Sequence, residues 1–501
     1  MFFHKHRFYL IGITLGLFLV GILAFEFQIE PIAAKQVVSV SSPYPGMNSE
    51  SVSTETNGYT VYLPIITIGP WPNPFGIESN LYLTSGIYNT RMIELGAGWA
   101  RLNDRVSWRA LQPNEGDEIK WELLDKFESE LRALKAARVK PIVIVDDYPR
   151  WATIEPNSCS PIRADKFSAF ANFVHALVER YRTPEFDVRD WELGNEVDVD
   201  PDLVPIDSQY GCWGEIEDLD YYGGDYYGEM VKVVGQAIKL EDPNARVWIG
   251  GLMIASPDTQ TPGHGKPERF LRGILVVGAA PYFDVLPYHA HTGYYNKVVD
   301  SESDLAGDWI PWGGGVRGKA VYLRQIMSEY GVDKPLFVNE IGVGCASKYE
   351  WCNPSPDDVF YEFQADMLVR IAARVISEDV DGFIWYTLNG PGWREMGLLD
   401  GNGDPRYSFT AYQELIEELY GKSYISPVVY HEDVEAYIFG ANGKFVHVAW
   451  AKDDNQYPIL IPQDRFIEAR TRDGAVITPV AVGTDYQITV GFSPVYIERQ
   501  P

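Results

Sequence analysis

Cysteine is scarce, with four residues in 501 (Cys159, Cys212, Cys345 and Cys352), and no two stand in the CxxC spacing of a thiolate metal site or redox switch. Histidine is also sparse, eight in all. Basic residues are outnumbered, 42 Lys and Arg against 70 Asp and Glu, for a formal net charge of −28. No Lys/Arg cluster supplies the positive face that phosphate neutralisation needs, which argues against a nucleic-acid partner. A Gly-rich phosphate loop is missing after the first apolar run, so a dinucleotide site has no support. Asp400, Asn402 and Asp404 resemble a calcium loop only superficially. Its sixth position is Pro405 rather than Gly and its twelfth is Ala411 rather than Glu, so a tight turn is the expectation.

What is plentiful is apolar and aromatic surface, 46% hydrophobic residues with 14 Trp and 31 Tyr, enough to bury a large core in more than one domain. Flat rings with a polar tip suit sugar faces, although most will be core. At the start, Lys5 and Arg7 flank an uncharged apolar run over residues 8–25. It is longer than a usual signal-peptide core of roughly 7–15 residues and close to the ~20 that span a bilayer. Residues 1–35 are therefore expected to be a signal peptide or a membrane anchor, with the bulk of the chain outside the cell, secreted or tethered to the outer face of the membrane. In such a compartment an even cysteine count favours disulfides, with Cys345 to Cys352 closing a short loop and Cys159 left for Cys212.

Residues 36–72 are rich in Ser, Thr and Pro and are read as a linker. From 73 to 420 short apolar runs alternate with stretches of helical spacing. Strands are expected at 75–77, 99–102, 141–145, 191–193, 247–250, 283–286, 336–338 and 382–385, and helices at 123–137, 167–181, 226–240, 320–330 and 360–376. Eight strands in this alternation predict a (β/α)8 TIM barrel rather than an open doubly wound sheet, because polar residues close many strands instead of gathering at one switch point. Residues 421–501 carry short alternating strands between Gly, Asp and Asn turns, predicting a small C-terminal antiparallel β-sandwich.

In a barrel the reacting groups come from the carboxyl ends of the strands. Two such ends present an Asn-Glu pair: Asn195 and Glu196 in WELGNE on strand four, Asn339 and Glu340 on strand seven. One pair alone is as readily a buried corner as a site. Two, on separated strands, place two carboxyl groups across the mouth, which is what cleavage of an acetal needs: one protonated to release the leaving oxygen, one ionised to support positive charge at the sugar carbon. Arg101, ending strand two, is placed to keep Glu340 ionised, and Glu196 is then the proton donor.

The ordered set WARLNDRVSW, LQPNEG, KWELLDKF, YPRWAT, WELGNE, KPLFVNEIGVG, GFIWYTL and GLLDGNGDPRY resembles the clan A retaining glycoside hydrolases, among them the β-xylosidase and cellulase-type families, over residues 75–420. The resemblance implies Glu196 as acid/base, Glu340 as nucleophile, Asn195 on the sugar's 2-hydroxyl and Arg101 orienting the nucleophile. It also implies Trp385 as floor of the first subsite, His289 at the family's strand-six position and Trp151 among the substrate-binding residues. One departure stands out. Members usually carry HxY on strand six, whereas here His291 falls where that Tyr would stand, and Tyr294 or Tyr295 could substitute.

The expected activity is hydrolysis of β-linked O-glycosidic bonds in an oligo- or polysaccharide by a two-carboxylate retaining mechanism, which calls for no cofactor and no metal ion. An insertion over residues 197–224, with Tyr210, Trp213, Tyr221 and Tyr222, is expected to wall the cleft. Two alternatives are a non-catalytic carbohydrate-binding surface protein, which need not keep Glu196, Glu340 and Arg101 together, and a metal-dependent barrel hydrolase. The second would need His and Asp ligands on several strands, and only strand six offers histidines.

Overall fold

The computed structural model describes residues 73–500, apart from 80–82, 84–85, 157–158, 206–207, 209–210 and 297–298. It also describes the backbone of a short antiparallel pair, Val52–Thr56 with Tyr59–Leu63. The apolar run expected to be a signal or anchor, and most of the linker, lie outside the described residues. Among the described residues no helix is long and apolar enough to cross a membrane.

Eight parallel strands form the barrel: β1 (Phe75–Ser79), β2 (Trp99–Ser107), β3 (Lys140–Asp146), β4 (Asp190–Asn195), β5 (Arg246–Gly251), β6 (Leu286–His289), β7 (Leu336–Ile341) and β8 (Gly382–Trp385). They hydrogen-bond in the order 5-4-3-2-1-8-7-6. The two ends of this ladder meet through parallel bridges, Trp248 with Val285 and Leu252 with Tyr288, so the β5–β6 seam closes the barrel with isolated contacts rather than a continuous ladder. Both faces of each strand are covered, which is why the runs read as nearly unbroken apolar stretches such as PIVIV in β3.

Helices follow the strands in turn: α1 (Ile87–Leu95), α2 (Asp125–Ala137), α3 (Phe167–Tyr181), α4 (Gly224–Glu241), α5 (Phe270–Val276), α6 (Gly315–Glu329), α7 (Asp358–Ser377) and α8 (Tyr407–Leu419). In α3 the buried Phe167, Phe170, Val174, Leu177 and Tyr181 recur at three- and four-residue steps, one apolar stripe laid against the sheet. α7 is buried on nearly every side, from Phe360 through Val375, because it lies between the barrel and the C-terminal domain. Strand six begins at Leu286 rather than at 283 as the apolar run suggests. Asp284 turns its carboxylate onto the backbone N–H of Val247 at 2.7 Å, so the chain enters the ladder later.

Beyond α8 the chain makes β9 (Ser423–Pro427), β10 (Val434–Ala441), β11 (Lys444–Ala451), β12 (Tyr457–Pro462), β13 (Phe466–Thr471), β14 (Val480–Val482), β15 (Asp485–Val490) and β16 (Val495–Arg499). They form two antiparallel sheets, ordered 9-10-11-16-13 and 12-15-14. Alternate residues of both sheets, among them Ala436, Ile461, Ile488 and Ile497, share one small core. Both expected disulfides are present, Cys159–Cys212 and Cys345–Cys352.

Candidate active site

Inside the barrel, side chains stack in layers because strand residues alternate faces with a period of two. The lowest layer is apolar: Trp99, Ile142, Trp248, Val285, Phe337 and Ile384 form a cluster of their own. Two residues further along the strands stands a polar layer of Glu78 (β1), Arg101 (β2), Glu192 (β4) and Asn339 (β7), all fully buried. Register pairs Glu78 directly with Arg101.

Arg101 is the hub of that layer. Its Nε and Nη2 donate to the two oxygens of Glu192 at 2.9 Å each, Nη1 donates to Glu78 at 2.6 Å and to Glu340 at 2.8 Å, and Nη2 also reaches Asn195 Oδ1 at 2.6 Å. Glu192 is held from the far side by Asn339 Nδ2 at 2.9 Å and the Gly251 N–H at 3.1 Å. A guanidinium removed from water is costly unless its donors are met, and here the fork meets four acceptor side chains.

The rim above carries Glu196 and Glu340. Gly194, at φ 91°, and Glu196, at φ 49°, turn the end of β4 inward. A side chain in the left-handed region costs about 1–3 kcal/mol and is held only where the surroundings dictate it. In β7 the pairing register shifts after Val338, which lets Asn339 and Glu340, adjacent in sequence, both serve the interior. Glu340 Oε1 meets His291 Nε2 at 2.9 Å, and Glu196 Oε1 meets His289 Nδ1 at 3.0 Å. The same His289 nitrogen lies 3.6 Å from Glu340 Oε2. One oxygen from each carboxylate and one nitrogen of His289 all fall within 4.8 Å of one another, a donor set that could also hold a cation.

Burial works against ionisation of Glu340, but the charges of His289 and His291, the hydrogen bond from His291 and the charge of Arg101 outweigh it and hold the carboxyl far below its usual range. Glu78 goes the other way. Burial first and the Glu340 charge second push its carboxyl well above the usual range, against the pull of Arg101. The layer therefore favours the proton on Glu78 over Glu340.

Of the residues expected from sequence, Glu196, Glu340, Arg101, Asn195, His289 and His291 converge. Three others stand apart from the carboxylates. Trp385 is fully buried, with its indole N–H on the Met396 carbonyl at 3.0 Å. The neighbouring Tyr386 instead packs edge-on against His291 at 5.7 Å. Tyr294 packs on Phe360 and Phe363 of α7, so His291 itself fills the strand-six place beside Glu340. Trp151 ties two loops together, packing on Trp108 and donating to the Gln112 carbonyl at 3.1 Å. In the 197–224 insertion, Trp213 turns into the core with its N–H on Tyr148, while Tyr222 lines a cavity beside Glu196; Tyr210 lies outside the described residues.

Two further residues were not anticipated. Glu192 shares the inward face of WELGNE with Glu196, as alternation alone could have indicated. Lys319 is a buried lysine on α6 whose ammonium donates to the carbonyls of Met253 at 2.6 Å and His289 at 2.7 Å, across the β5–β6 seam. A lysine immediately before the apolar run AVYL, residues 320–323, was the available signal. Two cavities of about 340 Å³ open beside Glu196 and share Met253 and Ala255; one is walled by Leu305, Ala306 and Trp309, the other by Tyr222 and His264.

No family model matches the sequence and no curated protein matches it. Solved structures do. A family 39 glycoside hydrolase from the gut symbiont Bacteroides cellulosilyticus WH2 superposes with a TM-score of 0.65 at 16% identity, over 90% of this chain and 87% of its own. A family 39 β-xylosidase from Caulobacter crescentus gives 0.56 at 18% identity over 86% and 97%. A family 30 subfamily 8 xylanase from Clostridium acetobutylicum gives 0.57 at 12% identity over 85% and 96%. Barrel and C-terminal sheets together thus have the fold of the glycoside hydrolases of families 39 and 30.

Proposed function

We propose that this protein is an exported retaining glycoside hydrolase acting on β-linked oligo- or polysaccharides, with Glu340 as nucleophile and Glu196 as acid/base. The observation that carries the reading is the spacing of the two carboxylates, an oxygen of each within 4.8 Å of the other. Retention needs carboxyl groups ~5 Å apart, whereas inversion leaves ~6.5–9.5 Å for a water. The two disulfides suit an oxidising compartment.

In the first step Glu340 attacks the sugar's anomeric carbon while the bond to the leaving oxygen breaks and Glu196 gives that oxygen its proton. Water, giving a proton back to Glu196, then displaces Glu340 from the carbon. Arg101 and His291 fix the attacking carboxylate. Because Asn195 spends its carbonyl on Arg101, its amide N–H is the donor left for the sugar's 2-hydroxyl.

The test is kinetic. Glu340→Ala removes turnover with every substrate, and Glu196→Ala spares glycosides with good leaving groups in the glycosylation step; equal loss with both substrate classes rejects these roles. One observation favours a second reading, a metal-dependent hydrolase, since Glu196, His289 and Glu340 can converge on one cation. The same assays after exhaustive chelation separate the two, because the glycosidase keeps its rate.

A further inference from the structure

Residues 300–314, between β6 and α6, wall the cavity beside Glu196. Apart from a six-residue turn, Gly307–Trp312, this wall is irregular and is held by side chains. Glu302 accepts from the Val316 N–H at 2.7 Å, capping α6. Gly314, at φ 114°, lies so close that a Cβ there would meet the Glu302 oxygens at 2.6 Å.

Asp300 and Glu302 both end on Arg374 of α7, which donates to Asp300 at 2.6 and 3.1 Å and to Glu302 at 3.1 Å. The other edge of the same guanidinium grips Glu435 of β10, at 2.9 and 2.6 Å. Arg370, one turn earlier, repeats the link between Asp300 at 3.2 Å and the Ala451 carbonyl of β11 at 3.0 Å. Apolar side chains could match such a network in stability, so what it adds is a fixed geometry.

We propose that the C-terminal sheet is a working part of the substrate site. Arg374, gripped by Glu435, is a positioning residue that sets the 300–314 wall against the departing half of the substrate. The placement rests on the reading of Glu196 as proton donor, since the donor must touch the leaving oxygen. The cavity that this wall bounds is lined by Glu196 and by His289 and His291, but not by Glu340 itself. The wall therefore sets affinity for a sugar leaving group and matters little for a small aryl one.

Glu435→Gln and Arg374→Lys, made in the full chain, test this. KM for a β-linked tetrasaccharide is expected to rise roughly three- to thirtyfold, the span of coupling through packed networks, with kcat nearly unchanged. Aryl glycoside kinetics should move less than about twofold on the same scale. Calorimetric Kd values for the tetrasaccharide, taken with each change combined with Glu340→Ala, give a readout independent of turnover, and thermal unfolding checks the fold. Unchanged tetrasaccharide affinity in Glu435→Gln, or equal impairment on both substrates, overturns the proposal. A wild type that binds but hydrolyses nothing rejects the glycosidase reading and leaves the affinity comparison to decide this one.

Discussion

Two glutamates touch Arg101 in the buried layer, and they are held differently. Glu78 is pushed well above the usual carboxylate range by burial and by Glu340, and one of its oxygens accepts from Arg101. A glutamine that turns its amide oxygen to Arg101 keeps that hydrogen bond, so Glu78→Gln should cost less than about 1 kcal/mol. Glu192 accepts four hydrogen bonds, two from Arg101, one from Asn339 and one from the Gly251 N–H. A glutamine there must aim its amide N–H2 at a donor whichever way it turns. Glu192→Gln should lose on the order of 3–5 kcal/mol, the cost of breaking a buried pair. Urea unfolding at pH 7 compares the two, and equal losses would show that Arg101 holds both carboxylates alike. Only half of this was legible in the sequence. Arg101, Glu196 and Glu340 stood out because a polar group at an apolar run's end is conspicuous, although β2 itself runs on past Arg101 to Ser107. Glu192 sits inside such a run, and its role depends on strands distant in the chain that alternation cannot pair.

Among elements, the eight-strand order was readable because each buried run is bounded by polar residues, and α3 because its stripe is regular. β9 was not, since SYISP hides its alternation behind Ser and Pro and it pairs with one neighbour only. α5 was also missed: seven residues are too few to show a period. Within the C-terminal sheet, β11 carries a titratable group in its core. His447 is buried, and burial followed by the Arg499 charge lowers its pKa to about 4; its Nδ1 lies 2.6 Å from the Tyr430 hydroxyl. The unfolded chain takes up this proton near pH 6.5 and the folded one near 4. Stability is therefore complete above pH 6.5 and is lost as pH falls from 6.5 to 4, by up to roughly 3 kcal/mol. Melting temperatures of wild type and His447→Gln between pH 7 and 4 should converge toward the acid end. A constant gap would mean that the histidine is not buried neutral.

At the scale of the whole molecule, the barrel is a ring with one weak joint. Seven of its strand pairs are laddered, and the eighth, β5 with β6, is joined by isolated bridges, by backbone hydrogen bonds such as that of the His289 N–H to the Leu252 carbonyl at 2.9 Å, and by the ammonium of Lys319. Burial brings that ammonium down to about 8, and it ties the backbone at Met253 to that at His289. The residue so tied is the one whose ring stands between both carboxylates. The joint and the proposed site are thus the same place, so the activity proposed above should be lost before the fold is. In increasing urea, turnover is expected to fade while the helical circular dichroism is still intact. Lys319→Met should widen the gap between the two midpoints. Coincident curves for activity and helix content would show the seam to be as strong as the rest.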